Sequence, residues 1–386
     1  MSPTPARITG MIFALALLLA GSTGMAGDPP GRAQLVDYLA AHHQAPEAYI
    51  IGQFRDHDLV FLGEAHVLKE SLDFVQGLIP HLYRAGITHL GYEFAHHADQ
   101  ADIDRLITAD AYDEALARRI LLRFNPLWGY REYVDVFKAA WQVNHDRAAG
   151  APAFRVVALN SDFDWSRLPP GMDPDSTEAK NLIFGGGRHY HDVVNEKWAD
   201  VIAREFITPG KKALIHCGWG HSSTKFQRDR SPNLAHFRSA GNLVYNVIGD
   251  RAVEILLHQP PGYAKDHGPF LDAIHEAVSA LPPDLQRGGF DTRGTPFGDL
   301  PASSRGYYRG KAAGFSMADV HDGYVYLGPP DRFTPVGVIA DFVTPDNLDD
   351  ANRQLRVEKG KAYTPDEINA MIPGTLKRRF DSQMRR

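Results

Sequence analysis

Short apolar runs that end in polar side chains alternate with amphipathic stretches along the first two thirds of this 386-residue chain. Three runs have the composition of buried strands and lead into ionisable residues: residues 58–62 before Glu64 and His66, residues 88–92 before Glu93, and residues 212–217 before His221. Apolar positions three and four residues apart predict helices at residues 71–85, 103–107, 112–122, 130–144 and 191–206. This alternation predicts an α/β fold, a mainly parallel sheet with helices on both faces.

Two further features complete the predicted organisation. Residues 154–159 form another strand pattern, and residues 242–248 and 252–257 are interpreted as a closing β pair. From about Gln259 the composition changes to Gly, Pro and aromatic residues, which predicts a lid or a small C-terminal subdomain. The predicted divisions are an N-terminal segment 1–26, an α/β core 27–258 and a C-terminal extension 259–386.

The polar strand ends predict one shared site. In an open parallel sheet the carboxyl ends of the strands form the rim of the ligand crevice, so Glu64, His66, Glu93 and His221 are expected to converge there. Glu64 and His66 lie two residues apart and point the same way in an extended strand end. The glycines of residues 218–221 allow a tight turn that places the last imidazole at the mouth of the crevice.

These residues also have structural interpretations. Glu64 can cap the helix that follows it while His66 lies on the surface, and Glu93 can be a solvated strand end. His216 lies within its strand and is interpreted as a core histidine, and Cys217 as a small buried apolar residue. The functional interpretation rests on the loops after strands, where chemistry is concentrated in α/β proteins.

Composition narrows the class of protein. A hydrophobic content of 44% and a charged content of 23% are typical of a globular chain. The net charge of −6 argues against a nucleic-acid partner, because such proteins usually present a basic face. Cys217 is the single cysteine, so no intrachain disulfide is expected.

The N-terminus has the pattern of a cleavable signal peptide. Arg7 precedes an apolar run at residues 11–20, and Gly24-Met25-Ala26 has the small residues of a cleavage site. The run is too short for a permanent membrane span, and no cysteine lies near the cleavage site to accept a lipid. The sequence therefore predicts a periplasmic or secreted protein without stable membrane insertion.

In these motifs the chain resembles the erythromycin esterase/ChaN/Tiki superfamily. Gly63-Glu64-Ala65-His66 is similar to the family's first motif, and Glu93 to the glutamate that ends its second strand. Residues 194–199 approximate its helical motif, with Val194 where an arginine is frequent, and residues 218–221 match its final Gly-x-Gly-His pattern. The family includes hydrolases of esters and peptides as well as haem-binding proteins, so the resemblance implies a fold more narrowly than a reaction.

The first hypothesis is an exported hydrolase that cleaves an ester or amide bond of a small molecule or peptide. Glu64, His66, Glu93 and His221 would surround the reacting water, and the same four residues would ligate a divalent metal, since imidazole and carboxylate donors suit Zn²⁺ or Mn²⁺. Without a metal, His66 is the base, Glu93 or Glu64 orients it, and His221 stabilises charge or protonates the leaving group.

The alternative hypothesis, which the resemblance implies, is a haem- or iron-binding protein without hydrolytic activity. Tyr92, Tyr190 or His189 would then be the iron ligand. A third interpretation is a structural or sensory domain with a degenerate site. The sequence leaves open the substrate, the metal, the oligomeric state and the role of the C-terminal region.

Overall fold

The computed structural model describes residues 30–162, 167–173, 176–184, 190–225, 228–229, 236–303 and 315–385. Its strands are β1 (Leu59–Glu64), β2 (His89–His96), β3 (Arg155–Asn160), β4 (Ala213–Gly218), β5 (Arg228–Asp229), β6 (His236–Phe237), β7 (Ala252–Leu257), β8 (Gly288–Asp291), β9 (Pro301–Ala302), β10 (Phe315–Ser316) and β11 (Gly323–Tyr326). The predicted signal segment, residues 1–26, lies outside the described residues.

Helices cover the strands throughout the chain. They are α1 (Arg32–Ala41), α2 (Pro46–Gln53), α3 (Lys69–Arg84), α4 (Gln100–Thr108), α5 (Glu114–Phe124), α6 (Arg131–Asp146), α7 (Thr177–Phe184), α8 (Tyr190–Ile202), α9 (Trp219–Ser222), α10 (Ala240–Ile248), α11 (Ala264–His267), α12 (Pro269–Ala280), α13 (Met317–Val320), α14 (Leu348–Lys359) and α15 (Pro365–Met384). A π-helical turn at Ala203–Ile207 extends α8. Among the described residues, no helix has the length and apolar character needed to cross a membrane.

The main sheet has seven strands in the order β3-β2-β4-β1-β7-β11-β8. All neighbouring pairs are parallel except β11 with β8, which is antiparallel. Separate hydrophobic clusters cover its two faces, one including Val60 and Leu62 and another including Phe61. Consecutive residues of β1 are therefore buried on opposite faces, which explains why its apolar run is continuous rather than alternating. The predicted α/β fold is confirmed.

The register brings the polar strand ends to one edge. Glu64 of β1 pairs with Gly218 of β4, and Tyr92 of β2 pairs with His216 of β4. Because the three strands are parallel neighbours, the segments that follow them leave the sheet side by side.

The predicted β pair at residues 242–248 and 252–257 is wrong in its first half. Residues 240–248 form α10, and the Ser239 side chain accepts a hydrogen bond from the Asn242 N–H at the start of that helix. Val244 is buried and Val247 is 73% exposed, as expected for one helix with an inner and an outer face. Only β7 enters the sheet, parallel to β1.

The region after Gln259 is part of the sheet as well as a cover for it. β8 and β11 extend the sheet beyond β7. Further on, apolar residues of α14 and α15 pack into the same core cluster as β1 and β2: Leu355, Ile368 and Ile372. The composition change at this point of the sequence reflects short, glycine-containing strands and long loops within one continuous architecture.

Candidate active site

The best-connected polar group at the sheet edge is the carboxylate of Glu64. It is fully buried and accepts three hydrogen bonds, from His66 Nδ1 at 2.9 Å, the Tyr133 hydroxyl at 2.9 Å and His216 Nε2 at 2.8 Å. A buried carboxylate is stable in its charged form only when donors surround it in this way. Glu64 therefore fixes the orientation of the His66 ring.

Titration behaviour follows from this geometry. Burial by itself raises the pKa of Glu64, but the imidazoles of His216 and His66 outweigh burial and lower that pKa to about 2. For His66 burial lowers the pKa, whereas the hydrogen bond to Glu64 and the nearby charge of Glu93 raise it, and the net direction is upward. Because Glu64 is ionised, Nδ1 of His66 carries the proton and the lone pair of neutral His66 is on Nε2.

Glu93 approaches His66 from the neighbouring strand β2. Its Oε2 accepts a hydrogen bond from the Gly218 N–H at 2.6 Å. A Cβ atom placed at Gly218 would lie 2.8 Å from His66 Nε2 and 3.5 Å from Glu93 Oε2, so both side chains border the space above this glycine. Burial raises the pKa of Glu93, and its side chain is nearly inaccessible, whereas 27% of the His66 side chain is exposed.

His221 lies on α9, directly after β4, and contacts a different helix. Its Nδ1 is 2.7 Å from Asn195 Oδ1, and its ring centroid is 4.5 Å from that of Trp198. Both partners belong to α8, so the two sequence motifs at residues 194–199 and 218–221 meet in space. The contacts of the Glu64–His66 pair come from other elements, namely α6 and β4.

Sequence reasoning missed two members of the network. His216 is buried, as expected, but it donates to Glu64 instead of being only a core residue. Tyr133 lies on α6, and its hydroxyl both donates to Glu64 and accepts from the Val67 N–H at 2.9 Å. Nothing in the local sequence marks either residue, because their partner is 152 and 69 positions away.

The backbone just after His66 is strained. Val67 has a φ of 64°, a conformation that β-branched residues rarely adopt. Tyr133 holds its N–H, and its carbonyl accepts from the Val336 N–H at 3.1 Å. Strained backbone of this kind persists where surrounding contacts over-determine it, and such positions cluster at functional sites.

Aromatic rings line one side of His66. The ring centroid of Phe94 lies 5.5 Å from that of His66, and the Trp128 ring lies 5.6 Å from it, both edge to face. Arg379 of α15 places its guanidinium 4.6 Å from the centroid of Trp128. We call the rings of Phe94 and Trp128 the aromatic wall of the site, and Arg379 lies against it. The carboxylates of Glu64 and Glu93 form the polar part of the site.

The four predicted residues do not fit a metal centre. Within the described parts of the chain, no group of three or more His, Cys, Asp or Glu side chains is placed to hold a metal ion. Protein donors already occupy both oxygens of Glu64, and Glu93 Oε2 accepts from Gly218. The predicted set of Glu64, His66, Glu93 and His221 as ligands for Zn²⁺ or Mn²⁺ is therefore not matched by this arrangement.

Of the three iron ligands expected from the sequence, the structure describes the side chain of Tyr92. Tyr92 is fully buried and donates its hydroxyl hydrogen to the Tyr133 carbonyl at 2.9 Å, so it is not available to iron. His189 lies outside the described residues, as does the side chain of Tyr190. Cys217 is buried, as predicted, and burial raises its pKa well above the ordinary value, which leaves it an unreactive thiol.

Comparison with known proteins supports the fold. Neither a family model nor a curated protein sequence matches this chain. A solved protein from Bacillus cereus is similar at a TM-score of 0.55 and 12% identity, covering 81% of this chain and 100% of that one. A succinoglycan biosynthesis protein is similar at a TM-score of 0.55 and 9% identity, covering 80% of this chain and 99% of that one.

A third structure, that of ChaN of Campylobacter jejuni with cofacially bound heme, is similar at a TM-score of 0.34 and 14% identity. It covers 54% of this chain and 86% of that one, and so loose a superposition says nothing about haem in this chain. The first two matches, which cover nearly all of those proteins, show that this chain shares their fold.

Proposed function

We propose that this chain is an exported hydrolase that activates water at His66 to cleave an ester or amide bond. One observation carries the proposal: a buried, ionised Glu64 fixes the His66 ring through Nδ1, while Nε2 borders a partly open space beside Glu93. A histidine oriented by a carboxylate through one nitrogen and open at the other is suited to general base catalysis.

The proposed reaction is a proton relay through His66. A water molecule attacks the carbonyl carbon, and its proton passes to Nε2 of His66. The bond to the leaving oxygen or nitrogen then breaks, and the same proton passes from His66 to that atom. The products are a carboxylic acid and an alcohol or amine, and the imidazole returns to its neutral form.

Neighbouring groups support this cycle. Glu64 stabilises the imidazolium that forms, and the charge of Glu93 raises the pKa of His66, which makes it a stronger base. His221 donates from Nδ1 to Asn195, and in its protonated form its Nε2–H is proposed to donate to the carbonyl oxygen on which negative charge develops. No step requires a nucleophilic Ser or Cys.

The test is hydrolysis of a panel of p-nitrophenyl esters and anilides by the purified mature chain. We expect His66→Ala to lose about 10²–10⁴-fold in kcat/KM. The variant should remain folded, with a free energy of unfolding lower by about 1–3 kcal/mol because Glu64 loses one of its three donors. His81→Ala is the matched control, since His81 is exposed on α3 away from the site.

Two results would overturn the proposal. One is equal turnover by the His66→Ala variant and the wild type. The other is that no ester or anilide is hydrolysed, while the wild type, His66→Ala and His81→Ala all bind haem in stoichiometric amounts, as measured by its absorbance. Mass spectrometry of the protein from an exporting host tests export, because cleavage after Ala26 would leave a chain that begins at Gly27.

A further inference from the structure

The aromatic wall beside His66 carries Arg379, a cation that has no role in the proposed reaction. Arg379 is exposed, its guanidinium lies over the ring of Trp128, and Trp128 contacts His66 edge to face. The charge of Arg379 is felt at the site, because it lowers the pKa of His66 against the upward effect of the carboxylates. The guanidinium therefore lies within electrostatic reach of the reacting atoms.

Arg379 is held in place by its helix. The helix α15 starts with a capping box between Thr364 and Glu367, and its buried residues Ile372 and Leu376 pack into the main core. A guanidinium that rests on an indole and extends from an anchored helix loses little conformational freedom when it binds a ligand.

Within the described residues, Arg379 has no carboxylate partner, although other arginines at the same edge do. Arg123, for comparison, is paired with Asp99, Asp102 and Asp350. An exposed arginine that is stacked and has no carboxylate partner among the described residues presents its planar fork of donors to solvent. That arrangement matches a carboxylate in both shape and charge.

Two buried donors in or beside the aromatic wall also lack partners among the described residues. Nε1 of Trp128 and the hydroxyl of Tyr130 have no hydrogen bond, and the two side chains are 4% and 0% exposed. Their ring centroids are 5.4 Å apart, and Arg379 lowers the pKa of Tyr130 against the larger upward effect of burial. Unpaired buried donors are rare in proteins and are costly unless something accepts from them.

We propose that Arg379 binds a free carboxylate carried by the substrate, so that the hydrolase acts on esters or amides that carry one negative charge beside the bond that is cleaved. For the reaction, the inference rests on the proposed function. For recognition of the carboxylate, it rests on the charge of Arg379 and on the donors of Trp128 and Tyr130. A monoanion is favoured over a phosphate dianion because the site already contains the carboxylates of Glu64 and Glu93, which repel additional negative charge.

The test compares p-nitrophenyl hydrogen succinate with its neutral methyl ester. We expect the wild type to prefer the acid, and Arg379→Ala to lose on the order of 10- to 100-fold in kcat/KM for the acid while the methyl ester is unaffected. Arg379→Lys should recover part of the loss, since lysine retains the charge without the fork. Lys377→Ala is the matched control, an exposed cation of the same helix that is paired with Asp381.

A binding measurement separates this inference from the proposed function. Calorimetry with propionate, a monoanion at neutral pH, and with inorganic phosphate as the competing anion, is done on the wild type, His66→Ala and Arg379→Ala. Propionate that binds the first two proteins but not Arg379→Ala supports the inference even when no ester is hydrolysed. Equal kcat/KM for both esters, propionate affinity unchanged in Arg379→Ala, or tighter binding of phosphate than of propionate would overturn it.

Discussion

Replacing Gly218 with alanine is expected to disable the site without unfolding it. Gly218 has φ −57° and ψ 140°, which alanine adopts freely, and alanine keeps the N–H that donates to Glu93. The added Cβ would lie 2.7 Å from Cε1 of His66, whereas ordinary contacts begin at 3.4 Å, so the ring must move by about 0.7 Å. A misplacement near 1 Å costs about 10²-fold in rate, so we expect a loss of that order in kcat/KM.

The assay is hydrolysis of p-nitrophenyl acetate together with a thermal melt. Gly77→Ala is the control, because a Cβ at Gly77 meets nothing within 4 Å and alanine stabilises the helix α3 by about 0.5–1 kcal/mol relative to glycine. Overpacking costs typically about 1–3 kcal/mol, and the partial exposure of His66 lets the ring yield, so we expect the low end for Gly218→Ala. Wild-type kcat/KM in Gly218→Ala, beside an inactive His66→Ala, would refute the steric reasoning.

Three further outcomes follow from the network. Tyr133→Phe should lower the free energy of unfolding by about 1–3 kcal/mol, measured in urea, because it leaves the Val67 N–H unpaired and removes a donor from Glu64. Glu93→Gln should move the acidic limb of kcat/KM to lower pH, because the charge of Glu93 raises the pKa of His66; a limb that stays in place would contradict this. The pKa of Glu64 is about 2 in the folded chain, against an ordinary value of 4.5. Its charged form therefore stabilises the fold at pH values above 4.5, and that stabilisation is lost as the pH falls toward 2. Glu64→Gln should flatten this part of the urea-midpoint profile, and an unchanged slope would count against it.

The sheet and the polar residues at its edge could be predicted because both follow from local patterns of apolar and polar residues. Continuous apolar runs at 58–62 and 212–217 indicate strands buried on both faces, and a carboxylate or imidazole at their ends is unfavourable unless it is solvated or paired. Parallel strands bring such ends to one edge, which explains why Glu64, His66 and Glu93 were found together.

The rest depended on contacts between distant positions. His216 looked like a core residue because burial and a role in the network produce the same sequence pattern. Tyr133 is one aromatic among many on an amphipathic helix, and only the fold shows its hydroxyl beneath Glu64. The sequence predicts a strand at residues 242–248, where the structure has the helix α10, because a short apolar run fits either periodicity.

The short strands after Gln259 were missed for a related reason. β8 and β11 are four residues each and contain glycines, so their composition is that of a loop. Their strand conformation comes from pairing with β7 and with each other, which is a tertiary effect that outweighs local propensity.

The titration of His66 itself is the sharpest test of its proposed role as the base. The pKa of the His66 ring is measured by NMR on histidine-labelled protein, with His66→Ala to assign the signal, and compared with the acidic limb of kcat/KM. We expect the two pKa values to coincide and to lie above the ordinary 6.5, because Glu64 and Glu93 outweigh the effect of burial on this ring. A His66 pKa below 6.5, or an acidic limb that follows a different group, would contradict it.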